Sequence, residues 1–392
     1  MVQIDHTKLD IILVDDIHRM PVDRPWITLA IDVYSRMVTG FYISFDPPGA
    51  LATGLCLAHS ILPKEQWLEK YGTHSSWPVW GVMKTIHADN AKEFRGEMLK
   101  RACTEYGIDL SWRPVARPHY GAHIERLLGT FNKEIHNLAG TTFNNPVLRK
   151  NYNSEKASAM TLSEFERWLT IYITDIYHQR MHSALNCSPI IKYEQGILGD
   201  DNKPGVGLPS KIQDEQRLRL DFMPYEMRTV QRYGVQIDKC FYFTDILRPY
   251  INMTEKGNSK AKRKFLFRRD PRDISTLYFY DPELSEYFPI PYRNSSHPAI
   301  SIWEYRAAKK MAEGLDKNAN EDAIFEAYSK LRELEENARQ ETKKIRRNKQ
   351  RKRHHASQDK PFIANRPQVE PDDELFNNIV AFKDKEVFDD DE

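Results

Sequence analysis

Three carboxylates in the first third of the chain follow a pattern typical of phosphoryl-transfer sites. Asp89 follows a short apolar segment, and thirty-five residues separate it from Glu125. Asp5 comes earlier, also beside a short apolar run. Two strand ends and one helix would bring these side chains together, where they could hold two divalent cations. Such a pair, about 3.5–4 Å apart, stabilises the attacking and leaving oxygens of a displacement at phosphorus.

The first of these carboxylates has competitors nearby in the sequence, namely Asp10, Asp15 and Asp32. Asp32 is the strongest competitor, because it also lies in an apolar strand. We favour Asp5, because the first and fourth strands are neighbours in the predicted sheet and would bring Asp5 beside Asp89. In this interpretation Asp32 makes a structural hydrogen bond or positions nearby backbone.

The predicted ions are two Mg²⁺, for which Mn²⁺ could substitute, because hard cations prefer carboxylate and water ligands. No general-base histidine is required, since a divalent cation lowers the pKa of an attacking water or DNA 3′-hydroxyl. His87, His119 and His123 lie near the carboxylates in the sequence. Packing and phosphate contact are both open as roles for these histidines.

The apolar patterns predict the elements that would position the carboxylates. Three strands with short connections indicate an antiparallel meander, followed by a helix, a fourth strand, a second helix, a fifth strand and a helix that begins just before Glu125. The order β-β-β-α-β-α-β-α predicts a ribonuclease H-like α/β catalytic core. The corresponding ranges are 8–14, 26–32, 37–43, 50–61, 80–86, 94–106 and 108–112, with a long helix later at 161–178.

The remainder of the chain changes in composition. We predict the core at 1–195, a linker rich in Gly, Pro and Asp at 196–209, and a small β-barrel at 210–297, where short β-like runs alternate with turn signals. A basic helical extension follows at 298–355, and a disordered acidic tail at 356–392.

A formal net charge of +1 hides a strong segregation of charge. Residues 343–353 carry eight Lys or Arg and no acid, and residues 370–392 carry ten Asp or Glu against two Lys. The basic groups predict contacts with DNA phosphates. The predicted DNA-binding residues of the barrel and extension are Lys260, Lys262, Arg263, Lys264, Arg268, Arg269, Lys343, Lys344, Arg346 and Arg347.

The acidic tail contains four apolar residues at helical spacing, Leu375, Phe376, Ile379 and Phe382. This pattern predicts a short amphipathic helix that forms on contact with a groove of a protein partner. The four cysteines are far apart and show no metal-ligand spacing, which predicts free thiols. The chain has no signal-peptide pattern and no apolar run of the ~18–20 residues that a membrane span needs, which predicts a cytosolic protein.

The segments around Asp5, Asp89 and Glu125 resemble the D,D-35-E core of retroviral integrases and DDE transposases. The segments 27–36 and 177–185 resemble further elements of that superfamily, and the predicted barrel and basic extension resemble the TnsB/TniA branch, related to phage Mu transposase. The motif similarity covers about residues 1–195 and is only architectural from 205 to 350. The resemblance implies a bacterial, nucleoid-associated transposase that acts as a homo-oligomer on transposon-end and target DNA with an AAA+ ATPase regulator.

One departure from the family pattern is that the first catalytic strand begins almost at Met1. Family members carry N-terminal helical domains that read transposon ends, so we expect this chain to be a C-terminal portion. Two alternatives to a DNA-cleaving and strand-joining transposase stay open. The first is a ribonuclease H-like nuclease without strand transfer, and the second is a non-catalytic DNA-binding scaffold with structural carboxylates.

Overall fold

A five-stranded mixed sheet organises the N-terminal half of the protein. The computed structural model describes residues 1–14, 19, 21–89, 96–113, 121–142, 154–201, 203–255, 257–315, 320–337 and 343–357. The first seven strands are β1 (Val2–Lys8), β2 (Leu13–Val14), β3 (Pro21–Asp23), β4 (Trp26–Asp32), β5 (Val38–Ser44), β6 (Thr85–Ala88) and β7 (Asp109–Trp112). The sheet has the order β5-β4-β1-β6-β7, and β2 pairs with β3 separately.

The predicted antiparallel meander is present, but its first strand lies at Val2–Lys8 and not at 8–14. The apolar residues of 8–14 are buried in the core, and only Leu13–Val14 form a short strand outside this sheet. Strands β1, β4 and β5 form an antiparallel meander, and β6 and β7 run parallel to β1. The mixed α/β class is therefore confirmed, and the strand order is that of a ribonuclease H-like core. A parallel strand can follow an antiparallel meander only through a crossover, and helices α1 (Ala50–Ile61) and α2 (Glu65–Tyr71) provide it between β5 and β6.

Helices cover both faces of this sheet, which explains why its central strands are apolar almost throughout. Ile27, Leu29 and Ile31 of β4 pack on one face, and Ala30 packs on the other. The helices are α3 (Glu97–Glu105), α4 (Ala122–Ile135), α5 (Ser154–Ala157), α6 (Leu162–Ile171), α7 (Pro189–Leu198) and α8 (Glu215–Asp221). Apolar residues of α4 and α6 pack on the face that carries Ile27, Leu29 and Ile31, and those of α1, α3 and α8 pack on the face that carries Ala30.

The helix predicted at 161–178 is divided into two kinds of helix. It begins with a capping box, in which Thr161 and Glu164 satisfy each other's backbone N–H groups, and continues as α6. A π-helical segment, Tyr172–Tyr177, then follows. Its end carries His178, a fully buried residue whose Nε2 accepts the N–H of Val38 at 3.1 Å. Burial lowers the pKa of His178 to about 3, so the ring is neutral and able to accept this hydrogen bond.

The C-terminal half has a second core, built on an antiparallel four-stranded sheet of order β10-β15-β16-β17. The strands of this half are β8 (Gly199–Asp200), β9 (Lys203–Pro204), β10 (Tyr225–Arg228), β11 (Val235–Ile237), β12 (Cys240–Tyr242), β13 (Thr254–Glu255), β14 (Asn258–Lys262), β15 (Phe265–Asp270), β16 (Asp273–Asp281) and β17 (Glu286–Pro291). A short 3₁₀ helix spans Asp245–Tyr250.

The predicted β-barrel is not closed within the described residues. Strands β10 and β17 are the two edges of the four-stranded sheet. In the described part of the chain, the hairpin β11–β12 forms no strand ladder with this sheet, and a single bridge joins Tyr242 to Tyr292 just after β17. Strand β17 contains Pro289 and Pro291, which lack the N–H groups that a further ladder would need. The barrel prediction is therefore wrong in its closure, because proline confines β17 to an edge.

Three helices complete the described chain, namely α9 (Ile302–Leu315), α10 (Glu321–Asn337) and α11 (Lys343–Ser357). Apolar residues of α9 and α10 belong to the second core. The basic helix α11 packs against the N-terminal half, because Arg347 pairs with Asp23 at 3.0 Å and Arg351 pairs with Asp46 at 2.9 Å. The Nε2 of His354 also lies 2.8 Å from the Ile43 carbonyl oxygen.

Several predictions fall outside the described residues. The acidic tail from residue 358 onward is among them, with Leu375, Phe376, Ile379 and Phe382. The predicted domain boundaries stay predictions. All four cysteines are free thiols, and three of them are buried. No helix in the described ranges is long and apolar enough to cross a membrane.

Candidate active site

Strand register sets the first two predicted carboxylates side by side. Ile4 of β1 pairs with Ala88 of β6 in the parallel ladder, and each is followed directly by an aspartate, Asp5 and Asp89. Strand β6 ends at this point, whereas β1 continues along β4. The negative charge of Asp89 raises the pKa of Asp5, a smaller effect than burial, which agrees with their proximity.

The third predicted carboxylate, Glu125, lies in the first turn of α4, where the helix dipole favours negative charge. The start of this helix is attached to β1, because the N–H of Ile124 donates to Oε1 of Gln3 at 3.3 Å. The amide nitrogen of Gln3 lies 3.4 Å from Nδ1 of His87 on β6. Gln3 therefore links β1, β6 and α4, and its role was not predicted from the sequence.

Arg113, directly after β7, contacts two of the three predicted carboxylates. Its Nη1 lies 3.1 Å from Oδ2 of Asp5 and 3.7 Å from Oε1 of Glu125, so one guanidinium group bridges the first and third predicted ligands. Its backbone N–H donates to the carbonyl of Ala88 at 2.9 Å. Gly121 permits this approach, since a Cβ there would lie 2.5 Å from both Arg113 Nη1 and Glu125 Oε1.

The charge environment of Asp5 fits a carboxylate that needs a cation beside it. Burial raises the pKa of Asp5, and this increase is opposed by Arg113 and by the N–H of His6, which donates to Oδ1 at 2.8 Å. Asp5, Asp89 and Glu125 offer the oxygen ligands that Mg²⁺ prefers. Within the described ranges no three His, Cys, Asp or Glu side chains are gathered as a metal site, and the cation between Asp5 and Glu125 is a guanidinium.

The histidines near the site have separate environments. Burial lowers the pKa of His6 to about 4, and its Nδ1 lies 2.7 Å from Oγ1 of Thr28. Burial, with a smaller effect of Arg113, also lowers the pKa of His87. His123 is half-buried and lies in a cleft on the side of α4. His119 lies outside the described residues.

The competing aspartates have structural partners. Oδ2 of Asp32 accepts hydrogen bonds from the backbone and the hydroxyl of Ser35, at 2.9 and 2.7 Å, and closes the turn after β4. Asp10 is buried and forms ion pairs with Arg24 and His136. Asp15 lies outside the described residues.

The predicted DNA-binding residues of the second sheet divide into exposed and buried groups. Lys262 and Lys264 are exposed, and Arg263 is half-buried with its guanidinium 5.1 Å from the Phe265 ring. Arg268 is 1% exposed, and its guanidinium bonds to Asp221, to the hydroxyl of Tyr287 and to the Met223 carbonyl.

The prediction that Arg268 contacts DNA is therefore wrong, because its guanidinium is buried and bonded within the protein. Arg269 pairs with Asp238 at 2.6 Å and with Glu226 at 3.5 Å, so its guanidinium is also engaged within the protein. Arg347 is likewise paired, with Asp23. The side chains of Lys260, Lys343, Lys344 and Arg346 lie outside what the structure describes.

Comparison with known proteins identifies the kind of chain that carries this site. Residues 3–140 match the model of the TnsB C-terminal domain, and residues 219–288 match that of the Mu transposase C-terminal domain. The chain is related to the TnsB-type transposases. It is 26% identical over 282 residues to the transposase for transposon Tn552 of Staphylococcus aureus, covering 72% of this chain and 52% of that protein.

A second relative is the transposon Tn7 transposition protein TnsB of Escherichia coli, 22% identical over 354 residues, covering 85% of this chain and 49% of that protein. The chain thus spans about half the length of these curated relatives.

The solved structures that are similar to this chain include integrases. The catalytic core domain of BIV integrase is 15% identical, with a TM-score of 0.27, covering 50% of this chain and 93% of that chain. The simian T-cell lymphotropic virus intasome in complex with the PP2A regulatory subunit B56 gamma is 11% identical, with a TM-score of 0.31 and coverages of 74% and 76%. These TM-scores are low, so the fold description rests on the strand order and pairing given above.

Proposed function

We propose that this chain is the catalytic portion of a DDE-type DNA transposase. It would cleave DNA at transposon ends and transfer the resulting 3′-hydroxyl ends into target DNA. The observation that best supports the proposal is the register that puts Asp5 beside Asp89, together with the contact of one guanidinium with both Asp5 and Glu125. Both curated relatives are transposition proteins.

In this proposal Asp5, Asp89 and Glu125 hold two Mg²⁺ ions, for which Mn²⁺ could substitute. When bound, such ions lower the pKa of the attacking hydroxyl and offset the charge that develops at phosphorus. The chain's own groups orient the ligands. The N–H of His6 fixes one oxygen of Asp5, and Gln3 fixes the first turn of α4, which carries Glu125.

The proposed function is tested with a pre-cut transposon end that carries a free 3′-hydroxyl, incubated with target DNA and Mg²⁺. Products are resolved on a denaturing gel. The proposal predicts joined strands that disappear when EDTA is added. Shortened strands without joining would instead indicate a ribonuclease H-like nuclease, and DNA binding without any product would indicate a non-catalytic scaffold.

The partners of the proposed transposase are a second set of inferences. We infer that it acts as a homo-oligomer on DNA in the bacterial cytoplasm, associated with the nucleoid, and that its acidic tail binds an AAA+ ATPase regulator. In the tail, Leu375, Phe376, Ile379 and Phe382 would enter a groove of the regulator, while the flanking acids favour a basic surface. A helix this short is not stable alone in water, so it would fold on binding.

Deletion of residues 371–392 is expected to spare strand joining by the isolated chain and to abolish insertion that depends on the regulator. The measurement is a pull-down of the regulator by a peptide covering these residues, beside insertion assays with and without the regulator. Peptides with Phe376→Ala and Phe382→Ala are the controls for the apolar contacts. Regulator binding that survives the deletion of the whole segment would contradict this inference.

A further inference from the structure

A basic cleft opens beside the helix that carries Glu125. It has a volume of about 340 Å³ and lies between α4, the turn after β4 and the segment that follows the π-helical turns. Five basic side chains line it, and we call it the arginine cleft after them: Arg36, His123, Arg126, Arg180 and His182. Of these five, the sequence singled out only His123, with packing or phosphate contact as its role. The other four were not predicted as site residues, because they come from three separate segments.

The position of the arginine cleft relative to the proposed active site follows from helix geometry. His123 and Arg126 are three residues apart on α4 and therefore share a face of the helix. Glu125 immediately precedes Arg126 in the same turn. Adjacent residues of a helix are about 100° apart around its axis, so Glu125 and the cleft residues lie on adjoining faces of the first turns of α4. A DNA strand that crosses the start of α4 would therefore meet both the carboxylate and the cleft.

The backbone around Arg36 is held in an unusual conformation. Its φ is +64°, in the left-handed region that non-glycine residues seldom adopt. Three contacts fix it, since its N–H donates to the Asp32 carbonyl at 2.9 Å, its own carbonyl accepts the Tyr177 hydroxyl at 3.0 Å, and its guanidinium donates to the Val33 carbonyl. Such a residue costs stability unless the surrounding structure determines it, and it is found preferentially at ligand-binding positions.

The positive charges in the cleft repel one another. Burial lowers the pKa of Arg36, and the neighbouring Arg126 lowers it further, although Tyr177 and Asp32 oppose the change. Burial also lowers the pKa of His182, with Arg36, Arg126 and Arg180 adding to the decrease. Glu134 offsets part of this charge, since its Oε1 lies 3.5 Å from Nη1 of Arg180.

Arg126 has a side chain that is available to an external anion. It is exposed on α4, and among the described residues no carboxylate lies within ion-pair distance of its guanidinium. Guanidinium groups bind phosphate through two parallel N–H bonds, and they are less strongly hydrated than ammonium groups. Several of them around one cleft match an extended polyanion better than a single small ion, which would neutralise only part of the charge.

We propose that the arginine cleft binds backbone phosphates of the DNA strand that enters the catalytic site, with Arg36 and Arg126 as its principal phosphate contacts. This inference rests on the proposed function, because it takes the substrate to be DNA. The contacts are to phosphates and carry no base preference. Inorganic phosphate has the same chemistry, so the experiment compares both.

The test measures binding of a fluorescent pre-cut end duplex by anisotropy, in EDTA, across a series of salt concentrations. Arg36→Gln combined with Arg126→Gln is expected to weaken binding about tenfold or more at 0.1 M salt and to reduce the salt slope by about 1.8, since each lost phosphate contact changes the slope by ~0.9. The matched control replaces two exposed arginines of the second half, Arg232→Gln with Arg248→Gln, and should change neither value. Thermal melting verifies that each variant is folded, and Arg126→Gln alone replaces the double variant if the latter is not.

The outcomes separate this inference from the proposed function. Unchanged affinity and slope in a folded variant would overturn the cleft as a DNA site, even if the wild type joins strands. If the wild type binds DNA and the double variant does not, but the wild type fails to join strands, the result would support the cleft as a DNA site and count against the transposase activity. Inorganic phosphate is added at about 10 mM and at constant ionic strength. If it displaces DNA from the wild type but does not lower the residual DNA binding of the double variant, the cleft is a phosphate site that DNA uses. Binding of phosphate with no effect on DNA would overturn the proposal.

Discussion

Asp89→Asn and Glu125→Gln are each expected to abolish strand joining while leaving the fold unchanged. Each amide keeps the size of the side chain but loses the negative charge and most of the affinity for a hard cation. Metal-assisted stabilisation of the transition state is worth several kcal/mol, and ~4 kcal/mol corresponds to about a thousandfold in rate. We would measure joining of a pre-cut end in Mg²⁺, with thermal melting as the test of folding.

The control for this prediction is a carboxylate of similar exposure outside the site. Glu105 pairs with Arg217 at 3.0 Å on the surface, and its side chain is 52% exposed, the same fraction as that of Glu125. Glu105→Gln should therefore retain nearly full joining activity. Joining that persists within about tenfold of the wild type in Glu125→Gln would remove Glu125 from the proposed ligand set.

Arg268→Met is expected to destabilise the protein by about 3–5 kcal/mol, because it removes one partner from a buried ion pair. Asp221 is 5% exposed, and without Arg268 its charge would lose the guanidinium on one side. Tyr287 and Tyr106 would remain as hydrogen-bond donors, and Arg217 would remain 3.7 Å from its Oδ2. The measurement is chemical denaturation at neutral pH. The control is Arg248→Met, which removes a 69% exposed arginine and should cost less than about 0.5 kcal/mol.

This prediction also distinguishes two roles for the second sheet. If Arg268 supports the fold, the salt slope of DNA binding in the folded Arg268→Met variant should equal that of the wild type. A variant that keeps its stability and loses about 0.9 in salt slope would restore Arg268 as a phosphate contact and contradict the structure. The exposed Lys262 and Lys264 are the residues of this region that still fit DNA contact.

The sequence was sufficient for the elements that depend on local pattern. Apolar runs predicted the second and third strands of the meander and the strand before Asp89, but they put the first strand at 8–14 and not at Val2–Lys8. The predicted neighbourhood of the first and fourth strands agrees with the parallel pairing of β1 with β6, which brings Asp5 beside Asp89. The first helical turn around Glu125 was also predictable, because it follows a turn-rich segment ending at Gly121.

Features that depend on tertiary contact were not predictable from one sequence. Arg113 lies 108 residues from Asp5 in the chain, and nothing in its local context indicates that its guanidinium lies between two predicted ligands. The arginine cleft draws on three segments for the same reason. The burial of Arg268 was missed because alternation within β15 is broken, with Phe265, Leu266 and Phe267 all buried beside it.

The central claim of the proposed site is that Asp5, and not Asp32, is the first ligand, and one comparison tests it. Strand joining in Mg²⁺ is measured side by side for Asp5→Asn and Asp32→Asn, with a pre-cut end and with equal amounts of folded protein. Asp5 directly follows Ile4, which pairs with Ala88 at the end of β6, whereas Asp32 closes the turn at Ser35. We therefore predict that Asp5→Asn is inactive and that Asp32→Asn joins strands. An active Asp5→Asn beside an inactive Asp32→Asn would contradict the proposed site.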